Sequence, residues 1–168
     1  MTRDHSVVQI LTFVAADERY GIRLEEIDEV LFMMSFQNLP HTPSFVRGVV
    51  NLRGTLVPVL DLRERLAKPR LEEHADDESP FPTTARMLLL TPNGQRFVLI
   101  VDRVERIHPV HRSDLRPIGT DSGNLHSFLS MMWLDDGVMV PMVESTKLLG
   151  ESDWSDLPHG MLKPQPTA

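Results

Sequence analysis

Cysteine is absent from this 168-residue sequence, so neither a disulfide frame nor a thiolate metal site can hold it together. Aromatics are scarce: two Trp and one Tyr, far apart in the chain, leave little to line a groove for proline-rich peptides. No apolar run approaches the roughly 20 residues that cross a bilayer. No secretory signal opens the sequence, and the expected location is cytoplasmic, without direct membrane insertion. Positive charge is in deficit, with 17 Lys and Arg against 24 Asp and Glu, a net charge of −7. Such a chain repels phosphate backbones, which excludes nucleic acid as its main partner.

Catalytic signatures are missing as well. Neither GxxxxGK[ST] nor GxGxxG occurs, and there is no HExxH or GxSxG. His108 and His111 could share a metal with Asp102 or Asp114, and would anchor a small hydrolase, but Pro109 between them denies helical i, i+3 geometry. The acidic run Glu72, Glu73, Asp76, Asp77 and Glu78 lacks the glycine-pivoted spacing of a calcium loop. Asp135 and Asp136 stand where a turn is expected, and Asp is common there for backbone reasons. The expectation is a binding protein: no enzyme, no cofactor and no metal.

What the sequence does contain is a duplication. Phe45 to Leu66 (FVRGVVNLRGTLVPVLDLRERL) aligns without a gap with Phe128 to Leu149 (FLSMMWLDDGVMVPMVESTKLL), 83 positions later. Gly54 falls on Gly137, Pro58 on Pro141 and Asp61 on Glu144. Leu11 to Val30 runs against Leu88 to Ile107 at a constant offset of 77. Each half reads strand, turn, strand, short helix, strand, turn, strand, short helix, and two lobes with a crease between them are expected.

Val7 to Val14 and Tyr20 to Arg23 form a hairpin, and the spacing of Leu24, Ile27, Val30 and Leu31 predicts a short helix over Leu24 to Val30. Val46 to Val50 and Thr55 to Leu60 are strands joined by Asn51-Leu52-Arg53-Gly54, with Gly54 supplying positive φ. Pro58 places its strand at an edge or a bulge. Asp61 and Glu64 make a capping box for a helix over Leu62 to Leu66. Residues 67–84 are an acidic loop between the modules. Asn93-Gly94 turns the next hairpin. Residues 151–168 are a tail, with Trp154 as a possible dock. The fold class is all-β with a few short helices.

Arg47 to Leu66 closely resembles the signature of CheW-like domains, the couplers of bacterial chemosensory arrays. The residues that carry it are Asn51, Leu52, Arg53, Gly54, Val57, Pro58, Asp61 and Leu62, with Tyr20-Gly21-Ile22 and Ile27-Asp28-Glu29-Val30 upstream. Val101 to Val104 and Lys147-Leu148-Leu149 fit downstream, so that the resemblance covers residues 7–150. It implies two intertwined five-stranded barrels of SH3-like shape and no catalysis. It also implies a non-catalytic adaptor that bridges a chemoreceptor's cytoplasmic hairpin tip and the regulatory domain of a CheA-type histidine kinase, with other CheW-like proteins as partners in ring assemblies.

The receptor-binding set implied is Ile27, Glu29, Val50, Asn51, Leu52 and Arg53, with the receptor's apolar ridge lying in the crease. Leu31, Phe32, Met33, Met34 and Phe36 are a candidate kinase-binding patch, because the family often carries charged or small residues there and methionine suits adaptable surfaces. The competing reading of that patch is a buried strand with one exposed apolar residue. Gly48 and Gly54 are structural, one for close packing and one for backbone angle. The second copy departs from the family pattern at Met131, Met132 and Trp133 and at Glu144-Ser145, which points to a twitching or surface-sensing array instead of a flagellar one. The alternative in another class is an SH3-like peptide-binding module outside chemotaxis.

Overall fold

The computed structural model describes residues 5–68, 80–119 and 127–150, together with Asp153 and Leu157. The acidic run at 72–78 and Trp154 lie outside the described residues. β1 (Val7–Ala15) and β2 (Glu18–Arg23) form the first hairpin. Its two-residue turn, Ala16-Asp17, has both φ values positive, at 52° and 63°, the geometry that matches strand twist. No glycine eases it; instead the Ala16 N–H donates to the Asp102 carboxylate at 3.0 Å. β4 (Val46–Leu52) and β5 (Thr55–Asp61) turn at Arg53-Gly54, with φ of 51° and 85°. α1 (Leu62–Arg65) follows, with Asp61 accepting from the Arg63 N–H at 3.1 Å.

The helix expected over Leu24 to Val30 is not there. Leu24–Glu26 makes a single 3-10 turn, and β3 (Ile27–Phe32) is a strand whose residues alternate half-buried and exposed. Ile27, Glu29 and Leu31 point one way, and Asp28, Val30 and Phe32 the other. Apolar residues on both faces mimic helical spacing, and pairing with the next hairpin decides the outcome. That hairpin is β6 (Arg86–Leu90) and β7 (Phe97–Val101). The matching stretch of the second copy is likewise a strand, β8 (Arg103–His111), followed by a short β9 (Leu115–Pro117) that the sequence did not announce. β10 (Leu129–Asp135) and β11 (Val138–Val143) close the chain's second copy, with a 3-10 turn at Ser145–Lys147.

The strands make two sheets, β8-β1-β2-β11-β10-β9 and β3-β6-β7-β5-β4. One sheet thus has six strands where five were expected, the extra one being β9. Neither lobe is one repeat. Hairpin β1–β2 joins the second copy, and hairpin β6–β7 joins the first. Matched features recur at the same offsets. The ladder slips between Val46 and Gly48 in β4 and between Leu129 and Met131 in β10. Asp61 N–H donates to Phe45 O at 2.9 Å, and Glu144 N–H to Phe128 O at 2.8 Å. The parallel junctions also correspond: Val59 pairs with Val98, and Met142 with Gly21.

Pro58 lies in β5, an inner strand and not an edge. The parallel ladder to β7 begins only at Val59, so the proline occupies the part of the strand paired on one side, opposite Val49.

The crease between lobes is filled. The largest apolar cluster draws Phe13, Tyr20 and Ile22 from one sheet and Leu60, Leu88 and Phe97 from the other, with Phe128 and Leu148. Chain exchange forces this, because each hairpin must pack against the copy it joins. Smaller clusters fill each lobe. On the seam the Arg65 guanidinium lies 4.9 Å over the Phe45 ring and 4.8 Å over Phe128, the same phenylalanine in each copy. Its Nε donates to the carbonyl of Leu148, its own counterpart, at 3.0 Å.

Candidate partner-docking surface

Two of the residues singled out in the sequence meet across the first lobe. β3 and β4 are the two edges of their sheet, yet Arg53 Nη2 lies 3.0 Å from Glu29 Oε1 and 3.1 Å from Oε2. The sheet curls until its edges approach, and Gln37 stitches them by bonding Val49 in both directions at 2.8 Å. Arg53 keeps 71% of its side chain exposed and Glu29 39%. Asn51 is exposed, and its Oδ1 accepts from the Gly54 N–H at 2.9 Å, which fixes the tip.

Val50 and Leu52 fall elsewhere. They face inward on β4, 3% and 5% exposed, inside the first lobe's core. They hold the turn from beneath. Ile27 is half-buried on a strand, not a helix, and packs against the shared core.

The apolar patch divides the same way. Phe32 is 75% exposed, with the Arg86 guanidinium 4.7 Å over its ring. Met33, Met34 and Phe36 turn back and pack against the first lobe's core, because the chain must return to bring Gln37 onto β4. Val30 is exposed on the same face of β3 as Phe32. At Gly48 an added Cβ would stand 2.0 Å from Gln37 O, whereas Gly54 has open space and φ of +85°.

His108 does not aim at a metal site. Its ring meets Trp133 edge-on at 5.0 Å, and its Nε2 lies 3.2 Å from Thr12 Oγ1. Across the seam, Glu26 accepts from the Ser145 N–H at 3.1 Å and from its hydroxyl at 2.7 Å, tying the end of β2 to the final turn. The hydroxyl of Ser130, bonded at 2.6 Å, holds the Glu144 carboxyl below its ordinary range; burial opposes it next, and Lys147 adds a lesser lowering. Sequence reasoning missed the outward residues Val30 and Leu56, 44% and 55% exposed, whose counterparts Ile107 and Met139 are also exposed. Being apolar in both copies, they read in sequence as core, and only the structure turns them outward.

Residues 9–153 match the model of the CheW-like domain. The chain is 27% identical over 125 residues to the chemotaxis protein CheW of Helicobacter pylori, covering 73% of this chain and 71% of that one. It is 42% identical over 60 residues to the protein FrzA of Myxococcus xanthus, 36% of this chain and 38% of that protein. The crystal structure of the scaffolding protein TtCheW from Thermoanaerobacter tengcongensis superposes with a TM-score of 0.77 at 25% identity, covering 88% of this chain and 96% of that one. With nearly all of both repeats inside the match, the chain belongs to the CheW-like domain family, a family of non-catalytic scaffold proteins of chemotaxis.

Proposed function

We propose that this chain couples the cytoplasmic hairpin tip of a chemoreceptor to the regulatory domain of a CheA-type histidine kinase, in the cytoplasm beneath the membrane that holds the receptors. The observation that carries this reading is the exposed Glu29–Arg53 pair, displayed where the two edges of the first lobe's sheet meet. Asn51 stands beside it on the same tip, and these three residues take the receptor. Val30 and Phe32, the exposed apolar stripe of β3, take the kinase domain, with Met33, Met34 and Phe36 supporting the stripe from beneath. Other CheW-like domains complete the rings. The bulky Met131, Met132 and Trp133 of the second copy favour an array that governs surface behaviour over a flagellar one.

The test is capture of a receptor fragment and of a kinase regulatory domain by purified protein. Arg53→Glu and Glu29→Lys each weaken receptor capture at least tenfold. An exposed ion pair contributes at most about 1 kcal/mol, which moves Tm by no more than about 4 °C in a chain of this size. The charge-exchanged double variant restores the pair but not capture. Singles that unfold, or that capture receptor undiminished, sink the assignment.

A further inference from the structure

The two lobes share a backbone plan but not a filling. Eight buried residues make the first lobe's own core, and five make the second's, among the described residues. The offsets show where the difference arises: Leu52, Leu89, Val98 and Ile100 of the first lobe are matched by Asp135, Thr12, Gly21 and Arg23 in the second. A cavity of about 360 Å³ opens beside one of these four, Arg23, with Met131, Met142 and Val143 as its floor and Val8 and Leu115 as its walls.

In the first lobe the matching place is taken. Phe81 packs against that lobe's core, edge-on to Phe36 at 6.0 Å and under the Arg47 guanidinium at 5.6 Å. Gln37 pairs with Val49 as Arg116 pairs with Met132, so Phe36 is matched by Leu115. Arg47, 83 positions back, is matched by Ser130. Leu115 and Ser130 both line the cavity. Its floor is therefore the second lobe's version of the Phe81 seat. The residue 77 before Phe81 is Asp4, in a segment reading Met-Thr-Arg-Asp that has no aromatic to offer.

We infer that this seat takes a phenylalanine side chain presented by a partner protein. The ligand is neutral, because the charges at the rim are already engaged. Glu26 holds Ser145 and lies 3.3 Å from Arg23, while Glu144 holds Ser130 and lies 3.1 Å from Lys147. An apolar floor under a satisfied polar rim is the pattern of an anchor pocket. The inference rests on the coupling role only for the identity of the partner.

The seat itself is tested with benzyl alcohol as probe and the methionine methyl groups, carbon-13 labelled, as reporters. Met131 and Met142 shift saturably while Met33 and Met34 do not, and Leu115→Trp or Val8→Trp, each filling the cavity from its wall, abolishes the shift at unchanged Tm. No saturable shift in the full chain overturns the seat, as does a shift that survives both substitutions. A shift seen only after removal of Met1 to Asp4 overturns it too, since the chain's own end is then the occupant. In the capture assay Leu115→Trp weakens binding of the receptor fragment or of the kinase domain at least tenfold, and undiminished capture of both overturns the partner's part. If the unaltered chain captures neither protein, the coupling role falls while the methyl shifts still decide the seat.

Discussion

Replacing Gly21 and Met142 together by valine gives the second lobe the pair that the first lobe already has at its parallel junction, Val98 and Val59. Alone, Gly21→Val is badly placed: a Cβ there stands 2.7 Å from Met142 Sδ and 2.9 Å from Ile10 Cγ2. Overpacking of this kind costs about 1–3 kcal/mol, offset by about 0.5–1 kcal/mol for removing glycine from a strand interior. Met142→Val alone empties part of a side chain only 4% exposed, at a cost of about 1–2 kcal/mol.

If the sites were independent, the double variant would lose the sum, about 1–4.5 kcal/mol. That is roughly 2–18 °C of Tm at about 2–4 °C per kcal/mol. The matched junction in the first lobe says otherwise. The space vacated by Met142→Val is the space that Gly21→Val needs, and the double variant should melt within about 4 °C of the unaltered protein. Ile10→Met, which copies Met87 of the first lobe, should recover most of what remains. Scanning calorimetry on the unaltered protein, the two single variants and the double variant gives the coupling energy. A double variant as unstable as the sum of its parts would show that the two junctions are not equivalent, and the pseudo-symmetry reasoning fails with it.

Two further substitutions probe the backbone and a third the titrating groups. Gly48→Ala drives a methyl to 2.0 Å from Gln37 O at a φ of +153° and should cost about 3 kcal/mol or more in urea unfolding. Gly54→Ala, at φ +85° with nothing within 4 Å, should cost about 1 kcal/mol. Equal losses would remove the close-packing role of Gly48. Ser130→Ala takes away the hydroxyl that holds the Glu144 carboxyl low. A depressed carboxyl contributes stability above its unfolded pKa and loses it as pH falls through the folded one. The variant's deficit should therefore be largest near neutrality and vanish in acid, with the Glu144 titration moved upward by NMR. A deficit that is constant with pH would assign Ser130 a packing role only.

The hairpins and the duplication were legible because turn chemistry and alternating burial are local. Gly54, Gly94 and Gly137 each carry the positive φ their turns need, and the gapless offset of 83 survives down to single hydrogen bonds. The exchange of hairpins was not legible. An apolar face reads the same whichever copy buries it, so a repeat in sequence does not say which strands share a lobe. β3 was misread for a related reason: Val30 and Phe32 are apolar yet face outward, and an outward apolar residue erases the alternation that marks a strand. For the site, the motif around Arg53 named Val50 to Arg53 as one set and could not separate the exposed Asn51 and Arg53 from the buried Val50 and Leu52. Alternate pleating of β4 makes that separation, and only the register with β5 shows which side is the core.

The same offsets bear on what the two faces can hold. Positions at the seam keep their character between copies, as Phe45 with Phe128 and Leu60 with Val143, and the seam is held by a shared core and by Arg65 between matched rings. Outward positions at the tips do not. Glu29 and Arg53 are matched by Arg106 and Asp136, the same two charges exchanged, and Asn51 and Thr55 by the exposed Leu134 and Val138. A protein surface shaped and charged to fit the first tip meets like charges and an exposed apolar hairpin tip at the second. Like charges brought together at an interface suppress wrong partners, at a cost of several kcal/mol. Two lobes built on one plan and packed on one shared core therefore present two different tips.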